Sequence, residues 1–265
     1  MGGYGMVSLL LRAGGGNPLD TLVTHVLDHD LHWNVPLIAT KHQLLIVISA
    51  ILLMVVMVPV CSRSVTVPTG FRNAIEAIVQ FLRTSVIKEY IHGEDARRFT
   101  PYFLTVFFFI LTLNLLGMIP KSASATGNIA VTAALSLCTF AVVLIGGMIA
   151  QGPVKFWVNL VPGGVPPLLV PLIFLLEVVS LISKHFALTI RLMANMTAGH
   201  VLLGAFIAFC VVGSGTVMNF ILVVPASLFG GLFIGILEVF VAFLQAYIFT
   251  FLSAVFVGAA LHPDH

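Results

Sequence analysis

Charge is what this sequence has least of. Between Ser122 and His262 the only formally charged side chains are Lys155, Glu177, Lys184, Arg191 and Glu238. Over all 265 residues 8% are charged and 59% hydrophobic. Soluble domains carry roughly a quarter charged residues. That shortage, with a mean hydropathy of +1.12, excludes an ordinary water-soluble protein and indicates an integral membrane one. A net charge of +2 supplies no strong field for nucleic acid, which is not an expected partner. Cysteine is scarce as well: Cys61, Cys138 and Cys210 are odd in number and scattered in or beside apolar runs, which excludes a disulfide framework or a zinc spacing. A glycine-rich phosphate loop is missing, so no nucleotide site is expected. No internal repeat suggests the inverted halves of a secondary transporter. The opening MGGYGMVSLLLRAGGG has an apolar core too short for a secretory signal.

What is present is a series of apolar runs. Residues 1–41 mix Gly, Asp and His and read as an extramembrane segment with one short helix at Pro18–His29, followed by a single membrane domain over 42–265. Short spans are expected near 44–60, 102–120 and 129–150, the first at the lower limit for crossing a hydrocarbon core of about 30 Å. Residues 68–90 differ. Phe71, Ile75, Ile78, Leu82 and Val86 recur at helical spacing, with Arg72, Glu76, Gln80, Arg83 and Glu89 on other faces, the pattern of an amphipathic helix lying on the membrane surface. A polar turn, KSASATGN, joins the second and third spans, and a Gly/Pro-rich loop with Gly152, Pro153, Lys155 and Pro162 follows the third. Two runs, 168–212 and 220–261, contain no polar turn that would divide them. As helices each would be roughly 65 Å long, about twice the hydrocarbon thickness. The expected fold is therefore all-α: short transmembrane helices, an amphipathic surface helix, and a hairpin of two long, strongly tilted membrane helices.

Arg63, Arg72, Arg83, Lys88, Arg97 and Arg98 lie between the first two spans, which places that loop and the C-terminus in the cytoplasm and the N-terminus outside.

Inside the hairpin the polar residues are ordered. Glu177, Lys184 and Arg191 are spaced by seven, so they share one helix face, and Asn195 stays close to it. Glu238 and Gln245 are also seven apart on the last helix. A turn centred near residue 218 puts Arg191 level with Gln245 and His200 level with Glu238. An arginine at mid-membrane costs about 3 kcal/mol or more, so such residues face protein or a wet cavity. A structural ion pair with Glu177 or Glu238 is the plain alternative, and Lys184 near an interface would simply snorkel. Histidine and a buried carboxyl both exchange protons near neutral pH, whereas arginine does not. A permanent cation between two such groups would block a proton moving straight through.

The stretches EVVSLISKHFALTIRLMANMTAGH (177–200), LNLLGMIP (113–120) and EVFVAFLQAYIFTFL (238–252) resemble subunit a of the F-type, rotary ATP synthase, from the first span to the C-terminus. The resemblance implies that Arg191 faces the essential carboxylates of a rotating c-ring. Asn195, His200, Glu238 and Gln245 match polar positions along the family's proton path, Glu177 and Ser180 match the other access route, and Asn114 matches a polar position in the second span. Many members carry Glu and His where this chain has His200 and Glu238. Gly117 stands where some relatives have Asp. Two offset half-channels are implied, with Arg191 separating them, protons as the transported ion and no nucleotide chemistry in this chain. Implied partners are the c-ring, peripheral-stalk b subunits and membrane lipid; no cofactor or metal is implied. The expected location is the inner (plasma) membrane of a bacterium rather than the mitochondrial inner membrane. The rivals are an independent proton or cation channel or transporter, and a structural anchor, which leaves Arg191 unexplained. His25, His29 and His32 are spaced for a metal on a helix, but Asp28 and Asp30 favour a solvated or interfacial segment.

Overall fold

The computed structural model describes residues 41–62, 70–119, 124–161, 166–213 and 217–261. The segment with Pro18–His29 and the three histidines lies outside them. All elements among the described residues are helical: α1 (Lys41–Ser62), α2 (Phe71–Leu82), a π-helical turn (Arg83–Ile87), α3 (Lys88–Tyr90), α4 (Gly93–Gly117), a 3-10 turn (Ala125–Gly127), α5 (Ile129–Gln151), α6 (Pro153–Val158), α7 (Val170–Gly213) and α8 (Val217–Leu261). Five are long and apolar enough to cross a membrane, over His42–Val60, Gly93–Gly117, Ile129–Gln151, Val170–Cys210 and Ile221–Leu261.

The two long runs are continuous helices of 44 and 45 residues. Unbroken helix is the economical solution in lipid, because every backbone N–H and C=O away from the ends is paired within the segment. Side-chain hydroxyls follow the same rule. Thr189 donates to the His185 carbonyl, Thr250 to Ala246 and Ser253 to Phe249, so polar side chains are accommodated without breaking the helix.

Three boundaries differ from expectation. The second span begins at Gly93 rather than at 102, because the charged stretch GEDARR forms its first turns. Gly93 supplies the positive φ of 66° at the helix start, and Glu94 and Asp95 complement the positive end of the helix dipole. The amphipathic segment is helical over Phe71–Tyr90 but passes through the π turn, where the Lys88 amide bonds to the Arg83 carbonyl. The loop after the third span contains α6, which starts on Pro153, a residue preorganised for the first helical position.

The chain forms two compact units. One holds residues up to Ser49, Leu111–Asn128 and Met193–Leu244; the other holds Ala50–Ile110, Ile129–Leu192 and the residues from Gln245 onward. In the first unit α7 and α8 pair antiparallel. Phe206 lies against Gly230, Glu238 against Gly199 and the Cys210 thiol near the Val224 carbonyl, each pair symmetric about residues 217–219. That is the register expected from a turn near 218. In the second unit the amphipathic segment packs Ile75, Leu82, Val86 and Ile87 inward. Phe81 stacks on Tyr247 at 5.8 Å, and Tyr90 meets Phe251 edge-on at 5.4 Å. The apolar face therefore rests largely on α8, although Phe71, expected on that face, is 71% exposed.

Gly258 sits directly under the Tyr90 carbonyl, and a Cβ there would collide with backbone rather than with a movable side-chain end. Gly258→Ala should therefore destabilise the chain by about 1–3 kcal/mol. Gly235→Ala, where a Cβ meets open space, should change stability by no more than about 0.5 kcal/mol. Thermal unfolding of the purified chain in detergent checks both.

Candidate functional site

The first unit gathers four of the expected site residues. Asn114 on α4 is fully buried and donates through Nδ2 to the Ala242 carbonyl of α8 at 3.3 Å. Its Oδ1 has no partner among the described residues. Glu238, also on α8, is 6% exposed, and its Oε1 likewise has none. Gly199 makes room for that carboxyl: a Cβ there would stand 2.7 Å from Oε1. His200, the next residue on α7, and Asn195 are half-buried. Glycine at 199 thus brings the α8 carboxyl hard against the α7 backbone beside the histidine, in agreement with the level pairing of His200 and Glu238. Buried carboxyl and carboxamide oxygens with no protein donor are costly unless water or an exchanging proton reaches them.

Gly117 has a local role that the sequence did not disclose. A Cβ there would meet the Ser124 Oγ at 3.2 Å, and that Oγ accepts from the Gly127 amide at 3.2 Å. A side chain at 117 would need the Ser124 hydroxyl to give way by a few tenths of an ångström. Thr126 beside it is fully buried, with its hydroxyl unpartnered among the described residues.

In the second unit Arg191 is exposed and makes no ion pair among the described residues. Within this unit the ion pair with Glu177 weighed from the sequence is therefore not formed. Lys184 and Ala187 share the exposed face of α7 with Arg191. Gln245 on α8, by contrast, is buried.

Glu177 and Lys184 line a cavity of about 150 Å³ together with Gln151, Asn159, Leu181 and Phe256. Glu177 is half-buried there, as is Ser180 one turn along. Lys184 does more than snorkel: its Nζ lies 5.9 Å from the Phe256 ring centroid, a cation–π contact. Sequence reasoning missed Gln151 and Asn159. The Asn159 Nδ2 donates to the Gln151 Oε1 at 2.9 Å, and the Gln151 Nε2 donates to the Ala260 carbonyl at 2.6 Å. Those two amides tie the end of α5, the chain beyond α6 and the last turn of α8 together along the cavity wall. The signal was an amide closing an otherwise apolar span. His185 was also missed; it is buried between Phe140 and Phe256, and its Nδ1 lies 2.9 Å from the Leu181 carbonyl. Among the described residues no three His, Cys, Asp or Glu side chains come together to hold a metal ion.

Residues 43–258 match the family described as ATP synthase A chain. The chain is 42% identical over 232 residues to the ATP synthase subunit a of Chloroherpeton thalassium, covering 85% of this chain and 68% of that one. It is 42% identical over 234 residues to the ATP synthase subunit a of Myxococcus xanthus, covering 85% and 75%. With the ATP synthase subunit a of Anaeromyxobacter sp. the identity is 42% over 231 residues, covering 85% and 55%. The chain thus spans from about half to three quarters of the length of these relatives.

Gln151→Ala removes both amide contacts, the one from the Asn159 Nδ2 and the one to the Ala260 carbonyl. It should lower the stability of the chain by about 1–3 kcal/mol. Thermal unfolding in detergent checks this; an unchanged unfolding temperature would contradict the clamp.

Proposed function

The chain belongs to the ATP synthase A chain family, and from that premise we propose that it is the stator subunit of a rotary ATP synthase, guiding protons to and from carboxylates on a c-ring. It is a multi-pass membrane protein and a non-catalytic part of that assembly. In this reading residues 42–265 form the membrane domain, anchored in a bacterial plasma membrane with the N-terminus outside and the C-terminus in the cytoplasm, beside peripheral-stalk b subunits.

One observation carries the proposal. Arg191 presents a permanent positive charge on the exposed face of a membrane helix, without a counter-ion among the described residues. Lipid does not satisfy such a group, which costs about 3 kcal/mol or more at mid-membrane. A negative group on another protein does, and a ring carboxylate has the charge and the mobility required. The guanidinium keeps each passing carboxylate ionised by attraction, so a proton is released before the site reaches Arg191 and acquired again only after passing it.

Protons reach the ring from outside along Asn114, Asn195, His200, Glu238 and Gln245. The unpartnered oxygens of Asn114 and Glu238 support this route, because water or a passing proton satisfies them. After nearly a full revolution protons leave past Ser180 and Glu177, where the cavity holding Glu177 and Lys184 gives room for water. Arg191 separates the two routes, so charge crosses only when the ring turns.

Arg191→Ala should abolish ATP-driven proton pumping by the assembled enzyme in inverted membrane vesicles, read as the loss of a pH-gradient dye signal. Pumping that survives, or proton flow through the purified chain alone in liposomes, would refute the stator reading. Exchanging the two side chains, as His200→Glu with Glu238→His, should preserve more pumping than either His200→Ala or Glu238→Ala. A double exchange as inactive as the single losses would show that the two groups do not act as a pair.

A further inference from the structure

The second unit contains a cluster of cations that the proton path does not use. Arg83 in the π turn, Lys88 at the start of α3, and His92, Arg97 and Thr100 at the start of α4 line a cavity of about 340 Å³. Glu89, Glu94 and Asp95 occur in the same stretch of chain, but none lines it; Asp95 faces a different cavity with Arg98. Arg83, Lys88 and Arg97 are exposed and make no ion pair among the described residues. Three unneutralised cations around one hollow repel one another, an arrangement that an anion relieves.

Local geometry fixes the cluster. The π turn closes a wider ring than an α turn and sets the directions of Arg83 and Lys88 on either side of it. Gly93, at φ 66°, lines the hollow at the first turn of α4, where amides lack helical partners.

The surroundings identify the anion. The cavity lies at the charged end of a membrane-spanning helix, just before its apolar stretch begins at Tyr102. Phe81, two residues before Arg83 on the helix leading into it, is 46% exposed, which offers apolar surface to acyl chains next to the cationic hollow. A headgroup phosphate with its chains alongside satisfies both features, and a soluble anion only one.

We propose that this cavity binds the phosphate group of an anionic phospholipid, held by Arg83, Lys88 and Arg97 at the membrane surface. The site is independent of the proton path, and its test leaves that reading untouched. The full chain, purified in a neutral detergent, is titrated with phosphatidylglycerol, phosphatidylcholine or inorganic phosphate while its unfolding temperature and bound lipid are measured. Phosphatidylglycerol should stabilise and remain bound, and the other two should not. Arg83→Gln, Lys88→Gln and Arg97→Gln should each weaken its binding about fivefold, and the three together roughly a hundredfold. Lys155→Gln, which removes a cation outside the cavity, should leave binding unchanged. The single variants keep the test usable if the triple variant does not fold. Equal binding of the two lipids, equal stabilisation by inorganic phosphate, or undiminished binding by the single variants would overturn the proposal.

Discussion

The structure depends on the cost of leaving a polar group unsatisfied where water is scarce. In hydrocarbon each unpaired backbone group costs several kcal/mol, so the described apolar runs are helical, and the two longest remain unbroken for 44 and 45 residues. The same cost explains why hydroxyls on α7 and α8 fold back onto carbonyls one turn earlier. Against that background the few polar groups left without partners carry information, because each is an expense that nothing in the local fold recovers.

Those groups are of two kinds. Asn114 and Glu238 are buried, and one oxygen of each lacks a partner among the described residues, a condition relieved by water or by a proton in transit. Arg191 is the opposite case, exposed on a membrane helix and unable to shed its charge. Relief for the first kind comes through an aqueous path, and for the second through a negative group on another protein. A chain that carries both has a part in moving protons and needs a partner to complete it, which favours the stator reading over a self-sufficient channel.

Much of this was legible in the sequence, for a physical reason. A membrane interior permits so few charges that each one present is a signal, and Glu177, Arg191, His200 and Glu238 stood out on sight. The helical runs were equally plain, since nothing polar interrupts them. The hairpin register followed from its short turn and agrees with the packing of Phe206 on Gly230 and of Glu238 on Gly199. Less legible were features set by packing rather than by solvation. The π turn at Arg83–Ile87, the short α6 and the extension of α4 back to Gly93 lie in mixed polar sequence, where periodicity is weak. Gln151 and Asn159 join only because the chain beyond α6 turns back toward the end of α5, which no local pattern encodes. Whether a polar residue faces a cavity or a neighbour was likewise beyond the sequence, as the buried Gln245 and the exposed Arg191 illustrate.

The side chains around Arg191 bear on how a partner is met. Ala187 precedes it on the exposed face of α7, and Ala194 and Ala198 follow at helical spacing, all three exposed. Small residues let another helix bring its backbone close, and in lipid that contact rests on van der Waals packing rather than on a hydrophobic driving force. Lys184 shares that face, but its ammonium lies over the Phe256 ring, which leaves the guanidinium as the cation presented among small side chains. Large interlocking side chains would add barriers to a partner sliding past. An arginine flanked by alanines therefore suits the proposed surface, past which ionised carboxylates of a partner would travel.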